Sequence, residues 1–169
     1  MSLNMPLHKK TAGFTLLEVM IAFLIFSVGL LGLAGMQGIG MRNNQIAYSR
    51  TIASQLAYDM ADRIRNNPNV DYATIAASSA TNCITASGGC NAAQTAAFDK
   101  YEWNTAITNA GTSIGTDKSP LNNAAGFITA NGTGFRIAIG WDENGSGTVT
   151  SCNPPTPTGS MCITVDIEP

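Results

Sequence analysis

From Val19 to Met36 the chain runs for 18 residues without a charge, and Ser27 carries the only polar side chain. At 1.5 Å per residue such a helix reaches about 27 Å, close to the hydrocarbon thickness of a bilayer. The wider stretch Phe14–Met36, 23 residues, spans comfortably with some tilt. A core helix of a globular domain rarely carries so long an uncharged run. Lys9 and Lys10 stand just before it, whereas Arg42 is the first cation after it. That asymmetry predicts a cytoplasmic N-terminus with the remainder exported.

Composition sharpens the division. Charged residues make up only 12% of the chain and the net charge is −2, which gives no electrostatic case for nucleic-acid binding. Residues 67–169 hold three cations against eight carboxylates, net −5, behind an apolar front. His8 is the sole histidine. A Ser-His-Asp triad, a Cys-His pair and a His-ligated metal are therefore all disfavoured, and no catalytic constellation, cofactor site or metal site is expected.

Glu18 is the anomaly in the front segment. A carboxylate within lipid costs a few kcal/mol and is normally kept for a function. An ordinary secretory signal, cut near Gly32-Leu33-Ala34, fits the basic start but leaves Glu18 unexplained.

The run Lys9-Lys10-Thr11-Ala12-Gly13-Phe14-Thr15-Leu16-Leu17-Glu18-Val19 resembles the processing site of type IV prepilins and of type II secretion pseudopilins. The resemblance implies that a membrane-embedded peptidase cuts after Gly13, that Phe14 becomes the first residue and is N-methylated, and that Glu18 guides assembly. Lys9 and Lys10 are then the basic part of a cleaved leader, residues 1–13. The residue types suit that chemistry. Gly13 has no side chain to obstruct the scissile bond, and Phe14 suits the membrane interface. Cleavage frees an α-amine four residues, about one helical turn, before Glu18. A carboxylate in a dry surround gains from pairing with such an amine, on its own chain or on a neighbour.

Beyond the apolar run, residues 41–66 keep a helical period. Ile46, Ile52, Ala53, Leu56, Ala57, Met60, Ala61 and Ile64 form one stripe, and Arg42, Arg50, Asp59, Asp62, Arg63 and Arg65 fill much of the other side. Asp59 and Arg63 are four apart with the acid first, the favoured order. Asn66-Asn67-Pro68 ends the helix. A single helix over Phe14–Asn66 is expected, and the chain is expected to divide in three: the leader over 1–13, a transmembrane or filament-core segment over 14–40, and an exported portion over 41–169 that includes the second half of the helix. Gly29, Gly32, Gly35, Gly38 and Gly40 interrupt its middle. They serve either close helix approach or local bending. Gly35 stands where the main subunits of the resembled class often carry proline.

Ser27–Gln37 together with Leu56–Asn66 is similar to the PilV-type minor pilins, also called type IV pilus modification proteins. The similarity covers about the first 70 residues. It implies an α+β fold, in which the long N-terminal helix, transmembrane in its first half, packs on a small antiparallel sheet. It also implies partners: prepilin peptidase, the major pilin, other minor pilins and a tip adhesin, with the inner membrane as the site before assembly and the extracellular pilus afterwards. A type II secretion pseudopilin is the alternative, and a soluble domain released by ordinary signal cleavage is the second.

In the remainder, residues 70–90 read as loop. Asn91 caps a helix over Ala92–Ala110 with Phe98, Tyr101 and Ile107 on its apolar face. Strand signals fall at Gly126–Ala130, Gly134–Trp141, Thr148–Cys152 and Met161–Ile167, predicting four antiparallel strands. Phe135, Ile137, Ile139 and Trp141 alternate with smaller or polar residues, as in a half-buried strand. Cys83, Cys90, Cys152 and Cys162 allow three pairings. The shortest loops join Cys83 to Cys90 and Cys152 to Cys162. Neither spacing matches a zinc site, and an exported head favours disulfides. The Asp142–Thr148 loop resembles the start of a calcium loop, but Asn153 stands where the bidentate glutamate belongs, and a polar hairpin turn explains it more simply.

Overall fold

The computed structural model describes residues 13–79, 82–85, 87–110, 120–143, 147, 149–152 and 160–168. The fold is α+β: a long N-terminal helix, a second helix and a small antiparallel sheet. Helix α1 spans Leu16–Asn66, α2 Ala92–Ala110, β1 Ala125–Asn131, β2 Gly134–Asp142 and β3 Ser160–Ile167. The chain divides into two units, Met1–Asn43 and Asn44–Pro169, and α1 contributes to both.

In the first unit every described residue is exposed. Phe23, Leu24, Ile25 and Phe26 are each more than 60% exposed. So much bare apolar surface calls for lipid or another protein around it. This part of α1 is long and apolar enough to cross a membrane. The helix is continuous through its five glycines, and a Cβ at any of them would meet open space. Ser27 Oγ donates to Leu24 O at 2.8 Å, so the one hydroxyl in the apolar run is satisfied within its own helix.

In the second unit α1 buries Ser49, Ala53, Ala57, Met60, Ala61 and Ile64. Ile46, Ile52 and Leu56, expected in the same stripe, lie half-buried on its flanks. Helix α2 starts on a reciprocal cap. Gln94 N donates to Asn91 Oδ1 at 2.9 Å, and Asn91 N donates to Gln94 Oε1 at 3.0 Å. Its buried residues are Ala96, Phe98, Trp103 and Ile107. Tyr101, expected on the apolar face, is instead 41% exposed. It stacks on Phe98 at 6.4 Å from the flank of the helix, while Trp103, four residues before Ile107, fills the core.

The sheet has three strands in the order β1-β2-β3, both pairings antiparallel. A tight turn at Gly132, whose φ is 63°, joins β1 to β2. Phe135, Ile137, Ile139 and Trp141 belong to the cluster that also contains Ala53, Ala57, Met60, Ala61 and Ile64 of α1 and Ala96, Trp103 and Ile107 of α2. Helix α2 lies close over β1: a Cβ at Gly126 would stand 2.5 Å from the Trp103 ring and 2.6 Å from Ile107 Cδ1. Glycine is the residue that permits this approach.

Two expectations need correction. Residues 149–152 form no strand, and Thr148 lies outside the described residues. Nor is β2 merely half-buried, since Ala138 is 4% and Asp142 2% exposed on its second face. Both departures have one cause. Val149, Cys152 and Cys162 gather over Gly140, where a Cβ would stand 2.5 Å from Val149 Cγ1 and 2.8 Å from Cys152 Sγ. The short segment covers the sheet instead of extending it.

Candidate functional site

Around residue 14 the backbone is bare. Gly13, Phe14 and Thr15 precede the first helical residue, and Phe14 is 83% exposed. The helix begins only at Leu16 because Thr15 caps it: Glu18 N donates to Thr15 Oγ1 at 3.3 Å and to Thr15 O at 3.1 Å. Thr15-Leu16-Leu17-Glu18 is a capping-box pattern, legible in the sequence. This alters the expected geometry. Phe14 lies outside the helix, so its distance from Glu18 is not set by a helical turn. Glu18 itself occupies the first turn, where a carboxylate is favoured by the helix dipole.

The Gly13–Phe14 bond is thus exposed and lies outside the helix, just before its cap. Lys9, Lys10 and His8 lie outside the described residues.

The second unit carries the remaining polar chemistry. Arg63 on α1 gathers three carboxylates: Asp59 Oδ2 at 3.0 Å, Asp99 Oδ1 at 3.0 Å and Glu102 Oε2 at 2.9 Å. Burial disfavours its charge, but the Glu102 hydrogen bond, the Asp59 charge and the Asp99 contact outweigh this and hold the guanidinium above its ordinary pKa. Tyr72 OH donates to Asp99 Oδ2 at 2.9 Å. Burial first, opposed by the Asn67 hydrogen bond, pushes the Tyr72 hydroxyl up to about 12. Lys100 Nζ donates to Tyr72 O at 2.9 Å and Ile75 O at 2.6 Å, tying the segment after α1 to α2. Burial lowers its pKa against the pull of Asp71. Of these groups only the Asp59–Arg63 pair was anticipated. Side-chain links over 25 to 39 residues leave no local periodicity to read.

Cys83 is bonded to Cys90 and Cys152 to Cys162. In the candidate calcium loop, Asp142 Oδ2 accepts from Gly147 N at 2.7 Å, a bond within the turn. Asn144, Gly145, Ser146 and Thr148 of that loop, and Asn153, lie outside the described residues. Among the described residues no three His, Cys, Asp or Glu side chains gather as metal ligands.

Residues 8–34 match a family model described as the prokaryotic N-terminal methylation motif. No curated protein and no solved structure matches the chain. The matched segment contains Gly13, Phe14, Glu18 and most of the apolar run, and it supports a type IV pilin-like or pseudopilin-like protein. The motif implies processing by prepilin peptidase and assembly with other pilins, and together with the apolar helix it fits anchoring in a membrane before assembly.

Proposed function

We propose that the chain is a minor pilin of a type IV pilus, of the PilV type, acting in assembly initiation or in the tip complex. The observation that carries this reading is the exposed Gly13–Phe14 junction, set before a capped helix that holds Glu18 in an apolar run matching the methylation motif. Peptidase cleavage follows Gly13, and Phe14 receives the methyl group. Lys9 and Lys10 hold the leader in the cytoplasm while residues 41–169 are exported. The segment 14–40 is membrane-spanning first and then part of a filament core.

Glu18 works as an assembly charge. In lipid an unpaired carboxylate is costly, and the methylated amine of Phe14 on a neighbour keeps its positive charge. Docking next to that amine therefore favours the filament over the membrane. The head contributes contacts to the major pilin, other minor pilins and a tip adhesin, and its role is structural.

Mass spectrometry of the mature chain tests the reading. A chain starting at methylated Phe14 is expected, whereas a retained leader, or a start near Gly35, overturns it. Glu18→Ala is expected to leave processing intact and to abolish incorporation into filaments. Deleting the gene separates the two machines: lost piliation with intact secretion supports the pilus, and the reverse supports a secretion pseudopilus.

A further inference from the structure

Strand β3 is an edge of the sheet, and its outer row of backbone groups is unpaired. The two-residue turn Gly132-Thr133 joins Asn131 to its partner Gly134, and such a turn closes on a hydrogen-bonded pair. Antiparallel pairs alternate, so the backbone groups of Gly134, Arg136, Ala138 and Gly140 point to β1, and those of the residues between them point to β3. On β3 this leaves the N–H and C=O of Cys162, Thr164 and Asp166 aimed away from the sheet. Among the described residues no hydrogen bond beyond the β2 ladder reaches the backbone of Met161–Ile167. The usual guards of an exposed edge are missing as well. The strand has no proline, no lysine and no bulge in its register with β2. Both oxygens of Asp166, its one charge, are held by Arg136. On the core side, Met161, Ile163 and Val165 pack against the cluster yet stay only partly buried.

We infer that β3 accepts an extended strand from a different polypeptide of the assembled filament, with apolar side chains at alternate positions that complete the cover over Ile163 and Val165. Main-chain bonds to Cys162, Thr164 and Asp166 would hold it, and the apolar row would select it. A second copy of this chain fits less well. Its β1 edge offers only Gly126, Ile128 and Ala130 on the core side, too little surface to extend the row. Its β3 edge matches the row only when antiparallel, because a parallel copy turns its core side to the opposite face of the sheet.

Anchoring bars that antiparallel arrangement. Strand β3 runs the same way as α1. Its last residue, Ile167, pairs with Phe135, whose ring meets Tyr72, and Tyr72 is bonded to Asn67 just past the end of α1. Ile163 pairs with Ile139, opposite Gly126, which lies under Trp103, and Trp103 is bonded back to Leu56. Two chains held in one membrane by the apolar part of α1 point the same way, and so do their β3 strands; in this respect the foreign strand rests on the proposed function.

Hydrogen exchange and single-residue variants test this. In the purified full-length chain in micelles, the amides of Thr164 and Asp166 are expected to exchange roughly a hundredfold faster than those of Ile163 and Val165, which bond to β2. In chains recovered from filaments the same two amides should become protected. Thr164→Pro deletes an outward N–H and leaves the bonds to β2 untouched, a change that edge strands tolerate. Its thermal midpoint should stay near that of the native chain, while piliation of a deletion strain complemented with it falls about tenfold. Thr164→Val keeps the N–H and should restore piliation in full. Ala130→Pro makes the same deletion on the β1 edge and should have no effect.

Slow exchange at Thr164 and Asp166 in the purified chain means that the edge is already covered, and overturns the inference. Unchanged exchange in filaments does so too, as does full piliation by a folded Thr164→Pro chain. If that variant does not fold, the exchange comparison decides alone. A loss with Thr164→Val as deep as with proline assigns the effect to the side chain and overturns the backbone contact. Equal loss with Ala130→Pro identifies the β1 edge of a second copy as the occupant and rules out the foreign strand. A retained leader would overturn the proposed function instead, and exchange in the purified chain would still be readable, so the two failures are distinguishable.

Discussion

The indole nitrogen of Trp103 donates to the backbone carbonyl of Leu56 at 2.7 Å, so the side chain of one helix is bonded to the main chain of the other. The surrounding residues allow this closeness: Ala53, Ala57 and Ala61 on α1 are fully buried and small, and Gly126 gives room on the sheet side. Trp103 is 1% exposed and belongs to the shared core of both helices and the sheet.

Trp103→Phe removes that hydrogen bond and leaves a small void. The expected cost is about 1–2 kcal/mol of head stability. Denaturant titration of the full chain in micelles, followed by near-ultraviolet circular dichroism, measures it. An unchanged midpoint would show that the bond contributes nothing net.

Arg63→Met should cost more, about 2–3 kcal/mol, because Asp99, whose side chain is 15% exposed, is left without its cation. Adding Asp99→Asn removes the stranded charge. The double variant is expected to recover part of the loss in the same titration.

Tyr72 gives a pH prediction. Its hydroxyl is held up to about 12 against an ordinary 10, so the neutral form is favoured by folding. The stabilisation is complete below pH 10 and disappears as pH climbs from 10 towards 12. Lys100 acts in the opposite sense, because its folded pKa is depressed and its penalty fades as it deprotonates. Comparing the native chain with Tyr72→Phe holds the Lys100 contribution constant. The variant should lose stability less steeply across that window.

The two disulfides are separable. Each closes a short loop, for which chain entropy alone gives roughly 2–3 kcal/mol. Replacing Cys152 and Cys162 by serine should cost more than replacing Cys83 and Cys90, since the sulfurs of the former pair pack around Gly140 over the sheet. Thermal midpoints of the two double variants check the order.

How much of this was legible beforehand varies by element and has a physical basis. Helix α2 was readable to the residue because Asn91 and Gln94 form a local signal three residues apart. The stripe on α1 was equally plain, as alanine and large apolar residues recur at helical spacing. Trp103 was not placed in the core, because Phe98 and Tyr101 offered a competing apolar spacing and only the packing against Gly126 decides between them. The strand expected at Thr148–Cys152 is absent for a similar reason: Val149 packs over Gly140 and Cys152 is bonded to Cys162, and such tertiary demands override strand propensity. At the candidate site, Gly13, Phe14 and Glu18 stand out as a motif, and the Thr15-Leu16-Leu17-Glu18 pattern makes the cap at Thr15 legible as well.

The Trp103 bond has one more consequence. Its acceptor is main chain, so it is supplied by helix geometry and not by the identity of the residue at position 56. Any substitution there that preserves the coil of the backbone leaves the tether in place, while the donor's indole admits almost no replacement. The tether itself therefore asks for no particular side chain at position 56, whereas the flanking Ala53, Ala57 and Ala61 must stay small for the indole of Trp103 to reach it.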